Sequence, residues 1–437
     1  MAHFDWIPSK LDQLGFVGRG KSRHRPRDDA QLYGGPYPFF QTGEVKAANL
    51  VLTQHTQTYS EFGVSQSKVW EPGTLCITIA ANIAETAILG VRGCFPDSVV
   101  GFVPDPCKAD VRFVKYYIDT IKLQMQSVSR GTTQDNLSVE KLLSFDLLMP
   151  SLHEQHRISS ILSAYDDLIE NCQRRIRILE DMARGLYREW FVNFRFPGAD
   201  VVPLIDSPLG HIPTGWSCGL VSDIATVLRG KSYRSVDLAD EGGVPFVTLK
   251  CLDRDGGFRR SGLKRYVGEF KPAHTVGFGS IVMAVTDMTQ ERRIIARAAW
   301  VPTLDADFGV LSMDLVRIDS NGVEAEYLYA FLRFSSFPDI VKQYANGANV
   351  LHLSPDRISE FRLPIPDARL IQQFAAIYRP MLASVDGLEN RIDNLRRTRD
   401  LLLPRLLSGQ IRVEAATEHL QDDQQPLPAT SPLTVPA

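Results

Sequence analysis

The sequence is poor in the residue groupings that announce most chemistries. Its six cysteines, Cys76, Cys94, Cys107, Cys172, Cys218 and Cys251, lie far apart. They form no Cys-x-x-Cys pair and have no paired histidines beside them, so neither a zinc site nor a disulfide framework is expected. The thiols read as reduced. There is no GxSxG elbow, no HExxH, no Asn-Pro-Pro-aromatic motif and no nuclease carboxylate cluster followed by lysine. The scattered histidines His153, His156, His211, His274 and His352 read as surface or turn residues rather than general bases. An enzyme in its own right, and a metal of its own, are therefore not expected. No uncharged apolar run of about 18 residues occurs, and the opening MAHFDWIPSK does not read as a signal peptide, so the expected location is the cytoplasm, away from membranes. An excess of positive charge is missing too: the formal net charge is −3 and the pI about 6.3, so total charge does not suggest nucleic acid.

What is present is an ordinary folded composition, 44% hydrophobic and 23% charged, over 437 residues. That length predicts roughly two to three compact units. The cations are unevenly spread. One cluster is Arg19, Lys21, Arg23, Arg25 and Arg27; another runs through Arg254, Arg259, Arg260, Lys264 and Arg265 towards Arg292, Arg293 and Arg297. Phosphate neutralisation needs only a local cationic surface, so these clusters suit a duplex. A merely solvated surface is the other reading.

The chain also resembles itself. Arg19-Gly20-Lys21-Ser22 recurs as Arg229-Gly230-Lys231-Ser232, and Gly73-Thr74-Leu75 as Gly279-Ser280-Ile281, each before an apolar run. SRGTTQDNLSVEKLLSFDLLMP (Ser129 to Pro150) aligns without gaps to ANGANVLHLSPDRISEFRLPIP (Ala345 to Pro366), pairing Gly131 with Gly347, Leu137-Ser138 with Leu353-Ser354 and Phe145 with Phe361. The repeated RGKS admits two readings, a DNA-contacting cation pair or a turn in which Gly20 and Gly230 supply unusual backbone angles.

Each copy runs into a heptad stripe. The first is Ile158, Leu162, Tyr165, Ile169, Cys172, Ile176, Leu179, Ala183, Leu186 and Trp190. The second is Ile371, Phe374, Tyr378, Met381, Val385, Leu388, Ile392, Leu395, Leu402 and Leu406, with Arg399 as a charged intruder. Two apolar stripes are best satisfied by packing together as an antiparallel pair, and Pro380 and Pro404 are expected to kink or cap the second helix. The expected fold is mixed α/β (α+β): two similar lobes, with short β runs such as LCITIA (Leu75 to Ala80) and SIVMAV (Ser280 to Val285), separated by two long antiparallel coiled-coil helices. The divisions are residues 1–150, first lobe; 151–198, first helix; 199–208, linker; 209–366, second lobe; 367–413, second helix; and 414–437, a disordered tail.

GFVGRGKS (Gly15 to Ser22) fits the phosphate-loop pattern GxxxxGK[ST]. Its context opposes that reading, because Pro26 and the surrounding cations disfavour the helix that must follow such a loop. The second copy has Ala225 where the first glycine should stand.

Taken together, these strings resemble the specificity subunits of type I restriction–modification systems. GTTQDNLSVEKLLSFDLLMPSLHEQHRISSIL (Gly131 to Leu162), with Glu154-Gln155, is similar to that family's passage from a target-recognition domain into its first conserved helix. REWFVNFRFPG (Arg188 to Gly198) resembles the helix's end, LGHIPTGWSCGLVSDIATVLRGKS (Leu209 to Ser232) the entry to a second recognition domain, and LRRTRDLLLPRLLSGQIRV (Leu395 to Val413) the final conserved helix. The first domain departs from the pattern, since FDWIPSKLDQLGFVGRGKS lacks the Pro-x-Gly-Trp lead. The resemblance implies two domains that each read half of a split double-stranded DNA target, with helix length setting the unread gap. Candidate DNA contacts are Arg19, Lys21, Arg23 and Arg25 in the first lobe and Arg229, Lys231, Arg259, Arg260, Arg292 and Arg293 in the second. It further implies that the helices carrying Ile158, Leu162, Ile169, Leu179, Leu186, Val385, Leu388, Ile392, Leu395 and Leu402 dock two modification (methyltransferase) subunits, with two ATP-driven restriction subunits completing the assembly. S-adenosylmethionine, ATP and magnesium would belong to those partners and none to this chain. The rival reading is a cytosolic coiled-coil protein scaffold that ignores DNA.

Overall fold

A computed structural model describes residues 6–129, 136–411 and 413. Gly131 and the proposed tail at 414–437 lie outside the described residues. The chain divides into two compact units, Met1–Cys172 with Arg391–Ala437, and Gln173–Asn390. The compact units thus cut each long helix in its middle, whereas the sequence divisions place each helix as a segment apart.

Each unit holds the same two sheets. In the first, the larger sheet runs Gly15–Arg19, Val99–Pro104, Leu75–Thr78, Thr86–Leu89 and Val51–Leu52 in spatial order. In the second unit the order Ala225–Arg229, Leu315–Ser320, Ile281–Ala284, Ala298–Trp300 repeats the first four strands. All four residues of Leu75–Thr78 and of Ile281–Ala284 are buried. A strand covered on both faces needs an unbroken apolar run rather than alternation, which is why these two segments stood out in the sequence. The smaller sheets correspond as well: Tyr33–Phe39 pairs in parallel with Gly93–Cys94, and Val244–Val247 in parallel with Gly309–Leu311.

A third antiparallel pair closes each lobe just before its long helix, Ile7–Ser9 on Leu147–Met149 and Ser217–Leu220 on Arg362–Ile365. The Leu-Ser repeat has a plain cause here. Leu137 and Leu353 are buried, and Ser138 and Ser354 accept backbone N–H bonds from Lys141 (3.2 Å) and Asp356 (3.4 Å) to cap short helices. The segment at 199–208, expected as a linker, instead contributes the strand Leu204–Ser207 to an antiparallel hairpin with Gly210–Pro213.

The long helices are Leu152–Tyr187, continued by a π-helical turn Arg188–Val192, and Ala368–Leu407. Ser151 Oγ accepts from Glu154 N (3.3 Å) at the first N-terminus and Asp367 Oδ1 from Arg369 N (2.8 Å) at the second. The second helix runs unbroken through Pro380. It ends at Leu407, two residues before Gly409, whose φ of 70° is the left-handed conformation that stops a helix. Within the first unit, Ile158 and Leu162 share a core with Leu406, Leu407 and Val413. Within the second, Ala183, Tyr187, Trp190 and Phe191 share one with Leu370, Ile371, Phe374 and Tyr378. Early residues of one helix thus meet late residues of the other, the antiparallel pairing that the stripes implied.

Candidate nucleic-acid interface

In the first unit, GFVGRGKS is not a loop opening a helix. Gly15–Arg19 is an edge strand paired with Val99–Pro104, and the chain then crosses the turn that follows Gly93–Cys94. Gly20 N donates to Val99 O (2.8 Å) and Lys21 N to Phe95 O (3.1 Å). The second copy repeats this, with Gly230 N on Leu315 O (3.2 Å) and Lys231 N on Leu311 O (2.7 Å). Neither glycine has positive φ, which corrects the expectation of unusual backbone angles. Both are needed for close approach: a β-carbon would stand 2.2 Å from Pro96 O at Gly20 and 2.1 Å from Ser312 O at Gly230. The repeated glycine that does need the left-handed region is Gly73, φ 88°, with its counterpart Gly279, φ 86°.

The strap from Arg19 to Arg27 is folded over Asp97, whose backbone oxygen accepts from Arg19 Nε and whose carboxylate accepts from Arg27 Nη2 (3.0 Å). Between these anchors Lys21 is half-buried, while Arg23 and Arg25 are exposed. Arg25 Nη1 donates to Ser22 O and His24 O, both at 2.8 Å. The structure adds a residue that the sequence did not suggest. Lys68 Nζ lies 3.7 Å from the Trp70 ring centre and 4.3 Å from that of Phe16, which is 55% exposed. Partial burial, and then the neighbouring charge of Lys21, push the Lys68 pKa down. Only contact across the fold, not sequence spacing, could reveal that this one cation lies over Phe16 as well as Trp70.

In the second unit the six candidates belong to three segments. Arg229 ends the edge strand and is exposed; Lys231 follows it, half-buried. Burial, and then the charges of Lys231 and Lys271, lower the pKa of His274, which lies beside these two cations. Arg259 is exposed, its Nε donating to Lys250 O (3.2 Å). Arg260 is a correction. Its guanidinium is spent on Asp386 (2.7 Å), Glu389 (3.2 Å) and Thr303 O (2.7 Å), so it fastens the lobe to the second long helix and is not presented to DNA. Burial raises the pKa of Glu389, an effect that Arg260 only partly opposes. Arg292 and Arg293 lie in the loop after Ile281–Ala284, where Arg292 Nη1 donates to Gln343 Oε1 (3.1 Å) and Arg293 pairs with Glu291 (2.7 Å).

The helix residues assigned to partner docking also need correction. Ile158, Leu162, Ile169, Leu388 and Ile392 are at most 7% exposed and serve the chain's own packing. Leu179, Leu186, Val385, Leu395 and Leu402 are half-buried in the same stripes. The apolar side chains that the helices do expose are others, among them Leu168, Ile178, Met182, Ile377 and Leu401. Among the described residues, no group of His, Cys, Asp and Glu could hold a metal ion, and no helix is long and apolar enough to cross a membrane.

Residues 4–180 match the family described as "Type I restriction modification DNA specificity domain". Those residues carry a domain of that type, and along most of its length the chain is similar to type I specificity subunits. It is 25% identical to the MjaIX specificity subunit of Methanocaldococcus jannaschii over 94% of each chain. Against the HindI specificity subunit of Haemophilus influenzae it is 23% identical, over 66% of this chain and 74% of that one. Its fold is that of the type I S subunit from M. genitalium, seen in a crystal structure that it matches with a TM-score of 0.59 at 15% identity, covering 93% of this chain and 97% of that one.

Proposed function

We propose that this chain reads double-stranded DNA for a type I restriction–modification complex, each unit taking one half of a bipartite target. The observation that carries the reading is the structural duplication. Two lobes with one strand order each present a basic strap at the same sheet edge and each lead into a long helix. A single reader would need only one such lobe. The chain supplies recognition and no chemistry. Modification subunits dock on the helices through apolar side chains such as Leu168, Ile178 and Met182 and bring S-adenosylmethionine, and restriction subunits bring ATP and magnesium.

The test is equilibrium binding of the full chain, with its methyltransferase partner, to duplex DNA across a salt series. For roughly 6–10 phosphate contacts, affinity falls about 10³–10⁵-fold between about 50 and 200 mM salt. Replacing Lys21 and Arg23 by alanine should lower the slope of log affinity against log salt by about 1 per lost contact, equally on every sequence. A protein scaffold would show no such binding, and an unchanged slope would remove these two residues from the interface.

A further inference from the structure

The loops that follow the central strands differ between the two units. Leu137 N bonds Ile79 O (2.9 Å) and Leu353 N bonds Val285 O (2.8 Å), which fixes the correspondence. From there the first unit returns quickly, Ala84 N reaching Thr78 O (2.8 Å), whereas the second takes the longer path of residues 285–295 before Ala296 N reaches Ala284 O (2.9 Å). The extra chain is ordered from within. The carboxylate of Asp287, 4% exposed, accepts from Thr289 N (2.8 Å) and Oγ1 (2.9 Å) through one oxygen and from Ile294 N (3.2 Å) through the other. Thr286–Asp287 also pairs with Leu351–His352. So held, the loop puts Arg292 at φ 52°, a conformation that a non-glycine residue keeps only where its surroundings impose it.

What the scaffold presents outward includes a polar set beside the exposed Met288 and Tyr344. Gln290 Nε2 donates to Ala348 O (2.9 Å) and Arg292 to Gln343 (3.1 Å), which joins the loop to the turn before Leu351–His352. Asn346 caps that turn through paired backbone bonds with His352 (2.8 and 3.0 Å). Gln290, Arg293, Gln343 and Asn346 are exposed. Amide side chains match the adenine edge and arginine the guanine edge of the major groove. A side-chain amide offers two donors and an acceptor, so Gln290, with one donor engaged, and Gln343, whose Nε2 also donates to Asp339 O (3.4 Å), each keep an N–H for a base.

We propose that this loop and turn are the base-reading face of the second unit, with Gln290, Arg292 and Gln343 contacting base edges and Asp287 as the positioning residue beneath them. The inference rests on the DNA-reading function above and assigns it a surface. Contacts of this kind specify sequence, in contrast to the basic straps, whose phosphate contacts only position the duplex.

The test uses the full chain with its methyltransferase partner and reads the methylated sequences in a random duplex library. With Gln290→Ala, Arg292→Ala and Gln343→Ala combined, one half of the methylated motif stays as it was. The other half loses at least tenfold discrimination at one or more positions. Asp287→Asn gives the same one-sided loss, whereas a merely structural role would lower methylation at both halves together. An unchanged motif in the triple variant overturns the proposal, and so does a uniform fall with the motif intact. A parent complex that methylates no two-part motif refutes the DNA-reading function itself, and this inference with it.

Discussion

A β-carbon on Gly20 would meet the Phe95 ring at 2.5 Å as well as the Pro96 carbonyl, and one on Gly230 would meet two consecutive carbonyl oxygens, those of Leu311 and Ser312. Backbone cannot step aside as a flexible side chain can. Gly20→Ala and Gly230→Ala should therefore each cost about 1–3 kcal/mol in denaturant unfolding. Gly73→Ala, in open space at φ 88°, meets only the left-handed backbone penalty of about 1 kcal/mol. Equal stability of Gly20→Ala and the parent would contradict the close crossing. The repeated RGKS was visible in the sequence, but its cause was not, because the backbone that each copy approaches lies some 75 to 82 residues further along. The same limit hid Lys68 over Phe16 and Trp70, and the engagement of Arg260 by Asp386 and Glu389.

Among elements, the long helices were the most legible, since a stripe at steps of three and four needs no knowledge of its partner. What the stripe could not show was why Arg399 interrupts it. In the first unit Arg399 donates to Asp166, a carboxylate 2% exposed on the other helix, and Tyr116 of the lobe donates its hydroxyl to the same carboxylate. Burial, and then the Asp166 charge, push the Tyr116 pKa far above its usual value, so this hydroxyl stays a donor. Burial disfavours charge on Arg399, yet Asp166 and Asp400 more than offset it and its pKa rises. Asp166→Ala removes the acceptor of the Tyr116 hydroxyl and leaves Arg399 with Asp400 alone; it should cost about 3 kcal/mol, the lower end expected for breaking a buried pair, because Arg399 keeps that second partner and 24% side-chain exposure. Replacing Asp166 and Arg399 together by leucine, with Tyr116→Phe to remove the hydroxyl otherwise left unpaired, should restore most of that stability, as measured by denaturant midpoint. A single variant as stable as the parent would show the pair to be idle.

At the scale of the whole chain, the duplication was legible in the order of its matched strings, and the structure gives it physical content as a shared strand order. That order itself was beyond reach. The parallel pairings Tyr33–Phe39 with Gly93–Cys94 and Val244–Val247 with Gly309–Leu311 join segments distant in sequence, and local periodicity carries no record of which strands become neighbours. Nor could the bases read be foreseen, because the loops that differ between the units are where the repeat fails to align. The central claim is that two homologous readers in one chain sense two half-sites jointly. Its most direct test is to express the chain with its methyltransferase partner and map methylated bases across a genome. The account predicts one recurring motif of two short specified parts around a fixed unread gap; a continuous motif, or no sequence preference, would contradict it.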